Sequence, residues 1–286
     1  MHPNFHFSTV QVLWTLTFAA QLVLLVVLLG RDRIKRFPWF TLSIVLMALR
    51  LVASRLLFGR METITLTAIF VTMADVSAIV GFLVVVEMAR RAFAPVRRRT
   101  WFAGALAILV VAGTALYFWG PWPAWKTLTA SSPMAALQLM QLGAQKFDML
   151  VDLLTIELGV LVVLFGRSCG AGWRSHTQRI VIGLSTASIG QLAVQGFWQL
   201  IALHAVPHSQ AEYDRIMGLR DKLFNANGVL YFAIVVWWIA CLWIDEPGAV
   251  STAESDDKNT PHPEYLTAET VDGLAGEPES QEPIGD

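Results

Sequence analysis

The stretch at residues 37–60, FPWFTLSIVLMALRLVASRLLFGR, decides the class of the fold. Its apolar run is long enough to cross about 30 Å of hydrocarbon as a helix, yet it carries Arg50 and Arg55. A guanidinium at mid-membrane costs at least about 2.5–3.5 kcal/mol on insertion scales, so it requires a partner or water. What answers these two arginines is the question the rest of the chain has to settle.

The composition agrees with a membrane protein. Of 286 residues, 55% are hydrophobic and 15% charged, with a mean hydropathy of +0.54. Soluble domains carry about 25% charged residues. Short segments of alternating polarity, the mark of an outer-membrane barrel, are missing. The formal net charge of −1 hides a division, because residues 245–286 hold 12 acidic residues against one lysine. The remainder is therefore strongly basic, but its Lys and Arg sit beside apolar runs, which points to topology and not to nucleic acid. Two cysteines, Cys169 and Cys241, are too few for a disulfide framework, and both thiols are expected to be free.

Around span 38–58 the hydropathy places six others, at about 12–30, 63–89, 101–119, 147–166, 180–203 and 224–244. The fold expected is all-α, a seven-helix transmembrane bundle over residues 1–245. The connecting segments 31–36, 90–99 and 167–179 hold four, five and three Lys or Arg, whereas 59–62, 120–146 and 204–223 hold one, two and three. Short basic loops stay cytoplasmic, so the chain reads as N-out and C-in in a bacterial-type inner membrane. The start, MHPNFHFSTVQ, lacks the basic residues of a secretory signal, and the first span is expected to be retained. In segment 120–146, Trp119, Trp122 and Trp125 form an interfacial aromatic cluster. Ser132-Pro133 then offers a helix start, leading into a surface helix or an outward extension of span five. Residues 246–286 are acidic and rich in Pro, Gly, Ser and Thr, a composition expected to be disordered.

A weak internal repeat is visible. LVLLVVLLGR (22–31) echoes LGVLVVLFGR (158–167), RLVAS (50–54) matches the place of QLAVQ (191–195), and Asp75 corresponds loosely to Asn227. This suggests a 3+1+3 plan with parallel halves and the fourth helix as connector.

The chemistry lies in the polar groups of the spans. At about 1.5 Å of rise per residue, Arg50 is level with Asp75 and Asp152, and Arg55 with Asp148. Desolvated charges must pair, so these heights predict ion pairs. Arg50 and Arg55 point about 140° apart on a helix, so one is expected to meet span three and the other span five. Span six adds Ser188, Gln191, Gln195 and Gln199 at spacings of three or four, and span seven adds Asn225, Asn227 and Tyr231. Together these groups read either as a water-filled cavity binding a small polar or anionic ligand, or as a polar network that only joins helices.

Other charged groups fit quieter roles. Glu87 is placed to pair with Arg90 or Arg91 on its own helix. Glu157 has no partner in sequence, which leaves a protonated carboxyl or a relay. His2, His6, His204 and His208 fall on the outer side, and Pro207 interrupts the His-x3-His pair, so no metal site or cofactor is expected. The run Arg97-Arg98-Arg99 is a positive-inside signal that also suits anionic lipid.

Known seven-span types do not fit. Span seven lacks an internal lysine for retinal, the span interiors lack the histidines of ceramidase-type hydrolases, and there is no Pro-Gln pair of the sugar-transporter type. No nucleophile–base pair suggests an enzyme. The function expected is a receptor-like or sensory module with an outward polar cavity. The alternatives are a small-molecule transporter with a buried charge-coupling site, or a scaffold that binds a cytoplasmic partner through its acidic tail. The partners implied are the lipid bilayer and a small ligand, without nucleic acid.

Overall fold

The computed structural model describes residues 9–57, 60–94, 98–118, 133–165, 175–204 and 209–244. The acidic segment 246–286, Cys169, His2, His6, His208 and the tryptophans of 119–125 lie outside the described residues. Among the described residues the chain forms seven α-helices: α1 (Thr9–Gly30), α2 (Pro38–Leu57), α3 (Thr63–Ala92), α4 (Arg98–Phe118), α5 (Pro133–Phe165), α6 (His176–His204) and α7 (Gln210–Trp243). No strand occurs among the described residues. Five helices, α1, α2, α3, α6 and α7, are long and apolar enough to cross a membrane. Their outward faces are apolar too: Val26 is 66% and Leu29 68% exposed. In water so much contiguous apolar surface would drive association, whereas in hydrocarbon it costs nothing. α5 is set apart by Lys146, Asp148, Asp152 and Glu157 within its length.

Two helices begin well before their apolar runs. α5 starts at Pro133, so residues 133–146 are its first turns and form an extension of the fifth apolar run, not a separate surface helix. α7 starts at Gln210, although residues 204–223 read as a basic loop by hydropathy. The local chemistry explains the start. Ser209 is extended, and its hydroxyl accepts the Glu212 backbone N–H at 3.3 Å. Ser-x-x-Glu is a capping-box pattern, and the Gln, Glu, Arg, Met and Lys that follow are good helix formers. Hydropathy registers none of this.

Packing arranges six helices in a ring, α1–α2–α3–α5–α6–α7 and back to α1, with α4 outside the ring against α5. α1 and α7 run in the same direction, since Leu13 lies beside Gly228, Gln21 bonds to Tyr231, and Arg31 stacks over Trp243. The end where α1 begins is called upper below, and the end where α1 and α7 finish is called lower.

The lower half is filled with side chains. Leu24, Leu28, Phe37, Phe40, Ile44, Met88, Val162, Ile180, Val235, Trp238 and Leu242 form one buried cluster. Phe40 meets the Trp238 indole edge-on, with centroids 5.1 Å apart. Small residues let the backbones approach. A Cβ on Gly159 would collide with Ser185, and one on Gly183 would collide with the Trp238 indole. Ser185 Oγ also lies 2.8 Å from the Thr155 carbonyl, which ties α6 to α5.

At the lower rim Asp32 adopts a left-handed conformation (φ 50°) that closes α1, with the Arg33 N–H donating to the Leu28 carbonyl at 2.9 Å. This turn aims Arg33 inward. Its guanidinium is buried, contacts the His176 ring, and donates to the Ile244 carbonyl at 3.3 Å. Glu87 accepts from Arg91, as its spacing suggested, and also from the backbone N–H of Phe40, each at 3.3 Å. One carboxylate thus caps the first turn of α2 from α3.

These contacts predict opposite outcomes for one substitution at two glycines. Gly183→Ala should lower the stability of the detergent-solubilised protein by about 1–3 kcal/mol through overpacking. Gly113→Ala on α4, where a Cβ meets nothing within 4 Å, should be neutral or raise it by up to about 1 kcal/mol. Thermal unfolding midpoints of the two variants check this.

Candidate functional site

The upper half of the ring is not filled. A cavity of about 870 Å³ is walled by Arg50 of α2, Leu66, Thr67, Phe70, Val71 and Ala74 of α3, Gln141, Gln145 and Asp148 of α5, Gln191, Gln195, Trp198 and Gln199 of α6, and Arg220 and Phe224 of α7. A pocket of this size lies within the range that encloses small-molecule ligands, about 300–1,000 Å³. Its lining has two guanidiniums, one carboxylate and five primary amides.

Of the polar residues singled out from sequence, Arg50, Asp148, Gln191, Gln195 and Gln199 line this cavity. Asn227 stands behind it, donating from Nδ2 to Gln191 Oε1 at 2.8 Å and so fixing that amide. Asp152 lies one turn below Asp148 and accepts the Ser188 hydroxyl at 2.7 Å, while its other oxygen, Oδ2, is buried without a hydrogen bond. Gln195 Oε1 is likewise buried and unpaired among the described residues. Glu157 Oε2 is in the same condition further down α5.

The expected ion pairs do not form. Among the described residues no carboxylate lies within 4.0 Å of Arg50 or Arg55. Arg50 shares the cavity wall with Asp148 and lies within its Coulombic reach, across open space. Arg55 turns the other way and stacks over Trp14 of α1, 5.6 Å from the ring centroid. Asp75 is half-buried on α3 and lines neither this cavity nor its neighbour. The reason is lateral. Height alone had set Arg50 level with Asp75 and Asp152 and Arg55 level with Asp148, whereas it is Arg50 that shares a cavity with Asp148, and height says nothing of azimuth. α2 packs against α1 and α3 and does not touch α5. One arginine is therefore left facing a cavity and the other an aromatic ring.

Tyr231 belongs to a second cavity, of about 620 Å³, bounded by α1, α2 and α7 with Phe70 of α3. There Tyr231 accepts from Gln21 Nε2 at 3.1 Å and donates its hydroxyl to Met47 Sδ at 2.9 Å. Arg50 and Phe70 line both cavities.

Sequence reading did not single out Gln141, Gln145, Trp198 and Arg220. The signal for the first two was present: Gln141, Gln145, Asp148 and Asp152 follow at helical spacing on one face, once residues 133–146 are read as helix. Arg220 lies on the extended start of α7, where it spans Trp198 at 5.5 Å and Phe224 at 5.7 Å. Aromatic contact on both sides holds its guanidinium without a carboxylate. The two helix extensions thus carry much of the polar wall. His204 is exposed, with its ring against the Leu200 carbonyl at 2.9 Å, and no group of three metal-binding side chains occurs among the described residues. Cys241 is a free, buried thiol.

No family model matches the chain, and no curated protein or solved structure is similar to it.

The Asn227–Gln191 bond predicts a measurable coupling between α6 and α7. In a double-mutant cycle with Asn227→Leu and Gln191→Leu, the interaction energy from unfolding in detergent should be about 0.6 kcal/mol and not above about 1.7. A value of zero would mean that the amide pair has no part in holding the wall.

Proposed function

We propose that the chain is a seven-span, receptor-like inner-membrane module that binds a small anionic, hydrogen-bonding ligand in the upper cavity. The observation that carries this is the cavity itself: Arg50 and Arg220 face a space of about 870 Å³ with a single carboxylate, Asp148, and five glutamines. A site with two fixed cations and one anion has a positive field that a carboxylate or phosphate completes. The glutamines add donors and acceptors for the rest of a polar ligand.

The topology of the proposal is N-out and C-in, which sets the upper end outside the cell and the basic connecting segments in the cytoplasm. The filled lower half then seals the cavity from the cytoplasm. The ring of six helices with α4 set outside it suits the 3+1+3 plan. Binding in the cavity would pass to the lower rim through α6 and α7, which end at the Arg33, His176 and Ile244 contacts, and from there to a cytoplasmic partner of the acidic tail. The second reading is a transporter. It is favoured by the acid pair Asp148 and Asp152 lying beside Arg50 and Ser188, which could couple charge to movement.

Cysteine accessibility tests the wet, cation-lined cavity without knowledge of the ligand. In a Cys169→Ser/Cys241→Ser background, Gln199→Cys should react from outside intact cells with the anionic reagent sulfonatoethyl methanethiosulfonate. That reaction should be faster than with its trimethylammonium counterpart relative to a free thiol, and Arg220→Gln should remove at least about tenfold of the preference, or about 1.4 kcal/mol. An unreactive thiol would make the network a dry contact between helices. Proteoliposome flux of an anion found to stabilise the protein would separate the two readings, since a sensor shows stabilisation without flux.

A further inference from the structure

The charged side chains of the upper cavity stand in two tiers, and hydrogen bonds between helices fix their levels. Tyr231 donates to Met47 Sδ, so Arg50, three residues up α2, is level with Asn227, four residues up α7. Asn227 bonds to Gln191, and the Ser188–Asp152 bond one turn below sets Asp148 at the same height. The floor thus holds a cation on α2 and an anion on α5, which share the wall without an ion pair. Trp198 lies seven residues above Gln191, and Arg220 seven above Asn227. The stacked pair of Arg220 and Trp198 therefore forms an upper tier about 10 Å higher. Five glutamines line the wall from the floor upward.

This pattern specifies a ligand more closely than a positive field does. A simple anion on Arg50 would leave Asp148 facing a like charge. A ligand with an ammonium and a carboxylate at one end answers Asp148 and Arg50 together, and a second carboxylate at its far end answers Arg220. An extended chain spans at most about 3.3–3.6 Å per residue, so a single amino acid reaches one tier and three residues reach both. Each peptide bond between the ends presents one N–H and one C=O, and a glutamine amide matches both. We infer that the upper cavity takes a free acidic peptide of about three residues. Its acidic first residue sits on the floor between Asp148 and Arg50, and its C-terminal carboxylate meets Arg220. Two carboxylates and one ammonium then balance two arginines and one aspartate. The inference rests on the anion-binding reading of this cavity and adds the ligand's length, charge pattern and direction.

The test is isothermal titration calorimetry on the full chain in lipid nanodiscs, with the peptide Glu-Ala-Ala and three relatives that each lose one charge. Glu-Ala-Ala should bind saturably, one to one. N-acetyl-Glu-Ala-Ala, Gln-Ala-Ala and Glu-Ala-Ala amide should each bind at least about tenfold more weakly, through loss of a charged hydrogen bond. Each loss should belong to one partner. Arg220→Gln should weaken Glu-Ala-Ala at least about tenfold and leave the amide unchanged. Asp148→Asn should likewise weaken Glu-Ala-Ala and leave the N-acetyl form unchanged. Absence of Glu-Ala-Ala binding overturns the inference, and so does equal binding of any of the three relatives. An Arg220→Gln effect as large on the amide as on the acid overturns it too. The comparison of peptides on the unaltered protein decides even where a variant does not fold. If the peptides fail while Gln199→Cys still prefers the anionic thiol reagent, the anion-binding cavity stands and only the peptide assignment falls. Loss of that preference removes both.

Discussion

A guanidinium part-way along a helix of hydrocarbon length has to be answered by the protein, since lipid offers it nothing. Arg50 is answered by space. It projects between two cavities, with Asp148 across one of them and Gln21, Trp14 and Tyr231 along the other. The rest of the upper half can be understood as what is needed to keep that space polar and open. α5 and α7 are lengthened by several turns beyond their apolar runs, and those turns contribute Gln141, Gln145 and Arg220 to the wall.

The lower half meets the opposite requirement. Helices in hydrocarbon gain little from burying apolar surface against one another, so they associate through close packing and a few hydrogen bonds. Gly159 against Ser185 and Gly183 against Trp238 bring α5, α6 and α7 together, and the large side chains of α1, α2 and α3 fill what remains. Arg33 and Glu87 then close the rim by bonding to helix ends that would otherwise leave carbonyl and N–H groups unpaired, and His176 meets the Arg33 guanidinium. A sealed lower half under an open upper half gives the bundle a direction, which a uniformly packed bundle would lack.

Polarity is therefore divided between three kinds of partner. Some groups are tied to a neighbour, as Asn227 is to Gln191 and Asp152 to Ser188. Some are stacked on rings, as Arg55 is on Trp14 and Arg220 on Trp198 and Phe224. The rest, Arg50, Asp148 and Gln195 among them, line a cavity, and the stacked Arg220 lines it too.

Sequence alone determined the helical class, the apolar spans and the candidates Arg50, Asp148, Gln191, Gln195 and Gln199, because periodicity, hydropathy and depth are all properties of one helix at a time. It also contained the starts of α5 and α7, in Ser132-Pro133 and Ser209-x-x-Glu212, although hydropathy passed over the second. Only the tertiary structure decided which helices are neighbours, and that decided the partners. Because α2 lies between α1 and α3, Arg55 meets an indole and Arg50 meets a cavity, where height alone had paired both with carboxylates. Azimuth is set by packing against other helices, and a single span contains no record of it.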